Sequence, residues 1–320
     1  MFHIPGRIYS GLALGLALGL ALLFNGCSGG TESGDTAVLV STTWLQDHLN
    51  DPDLLVLHAG TAEAYDSVHI PGARLINPSS FAVDNDSVRN EIPQADSIVA
   101  LLREAGVNQD SRVVLYYEDP RLLTRTARVF VSMDRVGMGN RTYVLNGGLP
   151  AWQEEEREVS DKVPDFEAGD LELSHLEEVV ITAGELDRRR WNPGTVVIDA
   201  RSDEEYYGTP ATANEEAEGG HIEGAYSLPY QDFLEDDRPG IFKPDSELKE
   251  LVQHAGMDPD KQAVVYCGIG YRASVSYIVA KHLGYPVLLF DGSYAEWTRL
   301  DMALTGPVTP PDSTGKTDGL

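Results

Sequence analysis

An internal repeat is the feature that most constrains the fold of this chain. Residues 41–59 match residues 182–200 at a constant offset of 141, and residues 105–117 match residues 255–267 without a gap. In the first pair, each copy has a Ser or Thr cap, a helical stretch, a turn containing Pro and a short apolar strand. A chain that repeats such a unit is expected to fold as two copies of one domain.

Short apolar strands alternate with helical stretches in this sequence. Val196–Ile198, Ala263–Tyr266 and Val287–Phe290 are such strands, and helical sequence separates them. The alternation predicts an α/β fold in which each half has a mostly parallel sheet with helices on both faces.

An export signal is predicted at the start of the chain. Basic residues precede the apolar stretch at 11–24, which is too short and too rich in glycine to span a membrane comfortably. The Gly-Cys pair that ends at Cys27 resembles the lipobox of bacterial lipoproteins. We therefore expect Cys27 to be lipidated and to anchor an exported protein to a membrane of the cell envelope, on the periplasmic side or at the outer membrane. Ordinary signal cleavage near this position is the alternative.

These features give a predicted organisation of six segments. They are a signal peptide at 1–26, a tether at 27–35, a first domain at 36–153, an acidic linker at 154–178, a second domain at 179–305 and a disordered tail at 306–320.

The charge balance excludes one class of partner. The chain has 51 acidic and 24 basic residues, which gives a formal net charge of −27. Such a field repels the phosphates of nucleic acid and anionic lipid headgroups. We therefore exclude nucleic acid as a partner.

Cys267 is the only cysteine besides Cys27. It has no partner for an internal disulfide or for a cysteine-rich metal site, and we expect no bound metal. An unpaired thiol is a liability in an oxidising compartment unless the protein uses it. Cys267 is therefore the candidate nucleophile.

The sequence after Cys267 predicts a turn that leads from a strand into a helix at 272–284. Its glycines permit the tight path that points several backbone N–H groups into one hollow. These N–H groups and Arg272 would keep the sulfur ionised at neutral pH and accessible to a substrate. The alternative is that Cys267 is an ordinary buried core residue. The turn consists of Gly268, Ile269, Gly270 and Tyr271.

The chain resembles the rhodanese family in its tandem-domain form. The resemblance covers nearly all of residues 36–305. It implies a sulfurtransferase without a cofactor, in which the thiolate of Cys267 attacks the outer sulfur of thiosulfate. Sulfite leaves, and cyanide or a thiol then takes the sulfur from the cysteine persulfide. The matching elements are "DARSDEEY" (199–206), "HIEGA" (221–225), "VVYCGIGYR" (264–272) and "DGSYAEW" (291–297).

The first half is an internal control for these assignments. Tyr117 occupies the cysteine position there, and "EDPRL" replaces "GIGYR". We therefore expect the first half to be catalytically inactive. Asp199 and Arg201 are also lost, since "HAG" at 58–60 replaces "DAR". This joint loss predicts that Arg201 holds a substrate anion and that Asp199 orients a loop donor. A surface ion pair or a strand cap is the alternative.

Other repeated and basic residues have weaker functional signals. The "HI-x-GA" motif occurs in both halves, so His69 and His221 are interpreted as structural turn residues. The basic cluster at 121–128 either lines the mouth of the site or begins a helix with its arginines in solvent.

A close rival donor is 3-mercaptopyruvate. Gly268 directly after the nucleophile resembles that branch of the family. Glu205, however, occupies the position where that branch usually has an arginine for the carboxylate of its substrate.

Two further functions are considered. Cysteine phosphatases and arsenate reductases have a thiolate loop that resembles Cys-x5-Arg and encircles a tetrahedral oxyanion. Only four residues separate Cys267 from Arg272, so we expect the loop here to be too small for that function. A membrane-tethered carrier that passes persulfide to a partner would need the same loop as the enzyme.

Overall fold

The computed structural model describes residues 37–84, 90–208 and 219–306. The predicted signal peptide, Cys27, the tether and all of the predicted tail after Gly306 lie outside these residues. None of the helices in these three ranges has the length and apolar character that crossing a membrane requires.

Ten strands of the described residues form the two main sheets, and β8 and β12 form a small separate pair. They are β1 Leu39–Val40, β2 Leu54–Ala59, β3 Arg74–Ile76, β4 Arg112–Tyr116, β5 Thr142–Leu145, β6 Val180–Ile181, β7 Thr195–Asp199, β8 His221–Ile222, β9 Ala225–Ser227, β10 Gln262–Tyr266, β11 Val287–Phe290 and β12 Leu304–Thr305.

The α-helices of the described residues connect these strands. They are α1 Thr42–His48, α2 Ala62–Ser67, α3 Ala95–Glu104, α4 Leu123–Arg135, α5 Gly148–Glu154, α6 Ala183–Arg189, α7 Asp203–Tyr207, α8 Asp245–His254, α9 Tyr271–His282 and α10 Ser293–Arg299.

The two main sheets have the same topology. Their strand orders are β1-β5-β4-β2-β3 and β6-β11-β10-β7-β9, and every neighbouring pair in them is parallel. Helices flank both sheets, as parallel strands require, because consecutive strands are joined by crossovers. The predicted α/β fold with one parallel sheet per half is confirmed.

The predicted caps also occur at equivalent places in the two halves. The side chain of Ser41 accepts a hydrogen bond from the Trp44 N–H at the start of α1. Thr182 does the same for Glu185 at the start of α6, where the two residues form a capping box. Each cap satisfies a backbone donor that the first helical turn leaves free.

One hydrophobic core extends through both halves. It includes Phe130 of α4 and Ile278 of α9, two helices that pack against each other. Along β10, Val265 and Cys267 face this shared core, whereas Val264 and Tyr266 face a separate core beneath α6 and α10. The alternation follows from the two-residue period of a strand. It places Cys267 on the side of its sheet that faces the first half.

The acidic segment that follows α5 packs against the first domain. The Ser160 N–H donates to the carbonyl of His69, and the Gly169 N–H donates to the carbonyl of Arg103, both at 2.8 Å. Leu171 is buried in the shared core. The link between the halves is therefore held along the surface of the first half.

Candidate active site

Cys267 lies directly after β10, at the carboxyl edge of the second sheet. Its N–H donates to Oγ of Ser293 at 3.2 Å, and its Sγ accepts a hydrogen bond from the Gly270 N–H at 3.2 Å. The turn ends at Gly270, and α9 starts at Tyr271. The sequence thus predicted the position of the thiol and the helix after it, which begins one residue earlier and ends two residues earlier than expected.

The sulfur is more deeply buried than the sequence predicted. Cys267 is 1% exposed, and its side chain belongs to the shared core. The expectation of an accessible sulfur is therefore wrong for this conformation. The cause is the strand period, which turns Cys267 inward with Val265, together with a turn that folds back over the thiol. We predicted a ring of backbone N–H donors around the sulfur. Among the hydrogen bonds of the described residues, only the Gly270 N–H donates to it.

The turn above the sulfur depends on glycine at one position. Gly270 has φ +90°, and a Cβ there would lie 2.9 Å from the Arg128 guanidinium and 2.9 Å from the Asp291 carboxylate. Only glycine fits this conformation and this space. Ile269, at the tip of the turn, is 39% exposed. The turn therefore has one side exposed to solvent, whereas the sulfur beside it is buried.

Arg272 does not point freely at the sulfur. Its guanidinium donates to both carboxylate oxygens of Glu205, at 2.5 and 2.8 Å. It also lies close to the backbone of the turn, because a Cβ on Gly268 would be 3.1 Å from its Nη2. Burial acts to raise the pKa of Glu205, but the hydrogen bonds and charge of Arg272 outweigh it and hold that pKa below its ordinary value. The pair is therefore ionised at neutral pH.

Arg201 is engaged as well. It donates to Asp199 through Nε at 3.0 Å and through Nη2 at 2.7 Å, and Nη2 also donates to the carbonyl of Gly220 at 2.7 Å. Its guanidinium lies over the ring of Tyr294, 3.8 Å from the centroid. Both members of the ion pair are buried, so the alternative of a surface ion pair is wrong. With these partners, Arg201 orders the end of β7.

A third arginine reaches the site from the first half. Arg128 of α4 is fully buried and forms an ion pair with Asp291, which directly follows β11. Asp291 also accepts a hydrogen bond from the Ile92 N–H at 2.8 Å, and Arg128 donates to the carbonyl of Asn90. The expectation of solvent-exposed arginines at 121–128 is wrong for Arg128, although Arg121 is exposed.

The three arginines near the turn thus each have a carboxylate partner. Each guanidinium neutralises one acidic side chain, and Arg272 also interacts electrostatically with Cys267. The pairs are Arg272 with Glu205, Arg201 with Asp199 and Arg128 with Asp291.

Ser293 is a residue that the sequence did not identify as part of the site. It has φ +53°, a conformation that costs energy for a residue with a side chain. Its hydroxyl accepts from the Cys267 N–H and donates to the carbonyl of Phe290. The first half has Gly148 at this place, with φ +58°. The replacement of this glycine by serine in the second repeat is the sequence difference from which Ser293 could have been identified.

The two repeated histidines have structural partners, as the sequence predicted. His69 stacks on Tyr65, and His221 stacks on Tyr206, with ring centroids 4.2 and 3.7 Å apart. In both cases Nδ1 lies within hydrogen-bonding distance of the carbonyl of the same tyrosine.

The fold and this site define a tandem α/β protein whose free thiol, within the described residues, lies at the end of a central strand. A family model described as "Rhodanese-like domain" matches residues 41–155 and 182–300. The chain belongs to the rhodanese family.

Similar proteins include curated relatives and a solved structure. "Sulfur carrier protein TtuD" of Thermus thermophilus is 34% identical over 278 residues, covering 82% of this chain and 94% of the relative. "Thiosulfate sulfurtransferase" of Azotobacter vinelandii is 31% identical over 256 residues, covering 79% and 91%. The crystal structure of SseA from Escherichia coli, a 3-mercaptopyruvate sulfotransferase by its description, has a TM-score of 0.69 at 25% identity. The match between the two covers 81% of this chain and 99% of the chain in that structure.

Proposed function

We propose that this protein is a sulfurtransferase that carries sulfur as a persulfide on Cys267, with thiosulfate as a donor. The observation that carries the proposal is the position of the thiol. It follows the central strand, directly before a turn with glycine on both sides of Ile269, and accepts the Gly270 N–H. Relatives named as thiosulfate and 3-mercaptopyruvate sulfurtransferases support sulfur transfer.

The reaction proceeds in two displacement steps at sulfur. The Cys267 thiolate attacks the outer sulfur of thiosulfate, the S–S bond of thiosulfate breaks, and sulfite leaves with the bonding electron pair. A thiolate or cyanide then attacks the outer sulfur of the persulfide, and the electron pair of that S–S bond returns to Cys267. No electrons are gained or lost overall, so the reaction needs no redox cofactor.

The main chain supplies the electrostatic support for these steps. The Gly270 N–H donates to the sulfur in the resting protein and so stabilises negative charge on the Cys267 thiolate. Ser293 fixes the other side of the cysteine by accepting its N–H. These contacts hold the nucleophile without a charged group in direct contact with it.

Access to the sulfur requires the turn to move. Cys267 is 1% exposed, and the turn above it includes two glycines, which change backbone conformation at low cost. The exposed side chain of Ile269 shows where the turn meets solvent. We infer that a shift of residues 268–270 admits the donor.

One contact weighs against 3-mercaptopyruvate as the donor. A substrate with a carboxylate needs a cation at the mouth of the site, but this chain has Glu205 there. Glu205 also accepts both hydrogen bonds that Arg272 could otherwise donate to such a substrate. The phosphatase alternative loses support from the same contact, because Arg272 does not close a ring around an oxyanion.

A second candidate is a persulfide carrier that loads once and passes sulfur to a partner. The burial of Cys267 favours it, because a covered persulfide is protected from small acceptors. A relative named "Sulfur carrier protein" is 34% identical. Export, the lipid anchor on Cys27 and a location in the cell envelope remain predictions from the sequence.

Replacement of the thiol tests the proposal. We expect Cys267→Ser to abolish both the transfer of sulfur from thiosulfate to cyanide and the mass increase of one sulfur atom on the protein, with an unchanged melting temperature. Tyr117→Phe, at the equivalent position of the first half, is the matched control and should retain turnover. Retained transfer by Cys267→Ser would refute the proposal, and stoichiometric loading without turnover would identify the carrier.

A further inference from the structure

The outer edge of the first sheet is covered by the segment that follows α5. The guanidinium of Arg74, on the edge strand β3, lies over the ring of Phe166, 4.3 Å from its centroid. A Cβ on Gly106 would be 3.1 Å from the same ring. The Gly169 N–H donates to the carbonyl of Arg103, near the end of α3, at 2.8 Å. A piece of non-helical chain therefore fills the angle between β3 and the end of α3.

The equivalent place in the second half is an open groove. Tyr226 of β9 follows the "HI-x-GA" motif as Arg74 does, and residues 255–256 repeat residues 105–106. Tyr226 is 54% exposed. The groove beside it has a volume of about 710 Å³, within the range of ligand sites. Its lining includes Tyr226, Asp232, Glu247, Glu250, Leu251 and Ala255.

We propose that this groove is a docking site for a partner protein that presents a chain segment with arginine or lysine side chains. The first half shows that a segment of polypeptide fits against this part of the scaffold. The site is separate from the turn at Cys267, and the inference does not depend on the proposed function.

The charge of the groove favours a cationic segment. Glu247 and Glu250 lie on the exposed face of α8, and Asp232 lies across from them. Lys243 also lines the groove, where its Nζ donates to the carbonyl of Asp232 at 2.7 Å. Desolvation and the nearby charge of Asp203 raise the pKa of Asp232, although Lys243 acts in the opposite direction. A cation from a partner would stabilise these carboxylates.

The aromatic contact can form in the second half with its members exchanged. In the first half, the sheet provides the cation, Arg74, and the covering segment provides the ring of Phe166. In the second half, the sheet provides the ring of Tyr226, so the covering segment has to provide the cation. An arginine stacked on an exposed tyrosine gains a cation–π interaction. Arginine is therefore the residue that best fits this place.

Charge also argues against the two occupants that this chain could itself supply. A second copy has a net charge of −27 and would be repelled. Residues 307–320 lie outside the described residues and contain one lysine and two aspartates, so their composition does not match an acidic groove.

The experiment measures binding of a short fluorescein-labelled peptide in which arginine alternates with serine, by anisotropy with the full chain. We expect saturable binding that weakens as salt is added. The matched peptide with glutamate in place of arginine should not bind.

Two double variants separate the groove from the overall charge of the protein. Glu247→Gln with Glu250→Gln should raise the Kd of the arginine peptide about tenfold, because two charges that face the ligand are removed. Asp96→Asn with Glu104→Gln removes the same charge from exposed positions of α3, the equivalent helix of the first half. It should change the Kd by less than about twofold.

Substitutions of Tyr226 test the aromatic contact. Tyr226→Phe should retain binding, and Tyr226→Ala should raise the Kd about threefold. Tyr226→Arg gives the second half the residue of the first half at this position, and it should abolish binding of the arginine peptide. All these variants should keep the melting temperature and the turnover of thiosulfate with cyanide.

Each outcome decides the proposal. No saturable binding, or an equal effect of the two double variants, would overturn it, because attraction would then come from net charge alone. A marked gain of affinity in a variant that ends at Gly306 would also overturn it, since the end of the chain would then be the occupant. Loss of sulfur transfer by the unmodified protein would refute the proposed function and leave the docking site unaffected.

Discussion

The ends of β4 and β10 are equivalent places in the two halves, and they differ in the residue that follows the strand. After β10 comes Cys267, covered by a glycine-containing turn. After β4 comes Tyr117, which is fully buried and donates its hydroxyl to the carbonyl of Gly240 in the second half at 2.6 Å. In the first half, the place of Cys267 is therefore filled by a side chain that joins the two halves.

The frame behind these residues is the same in both halves. The hydroxyl of Tyr116 accepts the Ile70 N–H, and the hydroxyl of Tyr266 accepts the Ile222 N–H, each at 3.1 Å. The same hydroxyls contact the residue at the equivalent position of the neighbouring strand, His58 in the first half and Asp199 in the second, at 2.9 and 2.5 Å.

The neighbours of these two residues then diverge. His58 lies 2.6 Å from the carboxylate of Glu118, whereas Asp199 holds Arg201. The same scaffold therefore accommodates two different polar networks at equivalent edges of its two sheets. The first half, which has Tyr117 in place of Cys267, also contributes to the turn of the second half, because Arg128 lies beside Gly270.

The largest effect is expected from breaking the contact that the first half makes to this turn. Arg128→Ala leaves Asp291 buried without its cation, and removal of one member of a buried ion pair costs about 3–5 kcal/mol. We expect the free energy of unfolding to fall by about that amount, measured by urea denaturation. Sulfur loading should fall with it, because the Gly270 turn rests on the same pair.

The control is Arg121→Ala, which removes an exposed ion pair with Asp119 at the start of the same region. It should change stability by less than about 0.5 kcal/mol. An equal effect of the two substitutions would show that the buried ion pair between the halves contributes no more to the free energy of unfolding than an exposed ion pair does.

An intermediate effect is expected from the turn itself. Gly270→Ala places a Cβ against Arg128 and Asp291 at φ +90°, whereas Gly284→Ala meets nothing within 4 Å at φ +78°. Both should lose about 1–2 kcal/mol of stability from backbone strain, and Gly270→Ala should lose more, because its Cβ also meets Arg128 and Asp291. Only Gly270→Ala should also slow sulfur loading. Unimpaired loading in Gly270→Ala would contradict the role of the Gly270 N–H.

The smallest effect is expected from the polar network of the first half. Burial lowers the pKa of His58, although Glu118 acts in the opposite direction. Its ordinary value in the unfolded chain is about 6.5, so the unfolded state binds the proton more tightly. Stability is then fully present above pH 6.5 and decreases as the pH falls towards the folded pKa.

Unfolding measured from pH 7.5 to 5 should show this decrease, and His58→Asn should reduce its slope. His254→Asn, on the exposed side of α8, is the matched control for the substitution itself. An identical slope in His58→Asn would show that the network does not titrate in this range.

The fold and the position of the thiol were predictable because they depend on local sequence. The caps, the apolar strands and the glycines of the turn act over a few residues, and the repeat doubled each signal. The inward direction of Cys267 was not predicted, although the alternation along β10 contains it. The partners of Arg272 and Arg128 depend on contacts between residues 67 and 163 positions apart, which a single sequence does not reveal.

The shared apolar core that joins α4 and α9 has a consequence for how the two halves can change over time. The first half has Tyr117 where the second has Cys267, and its α4 forms one wall of the common interior, so substitutions at its buried positions act on both halves. Substitutions that tune sulfur transfer are therefore to be sought in both copies, and an evolutionary history of this activity has to be reconstructed from the pair of domains together.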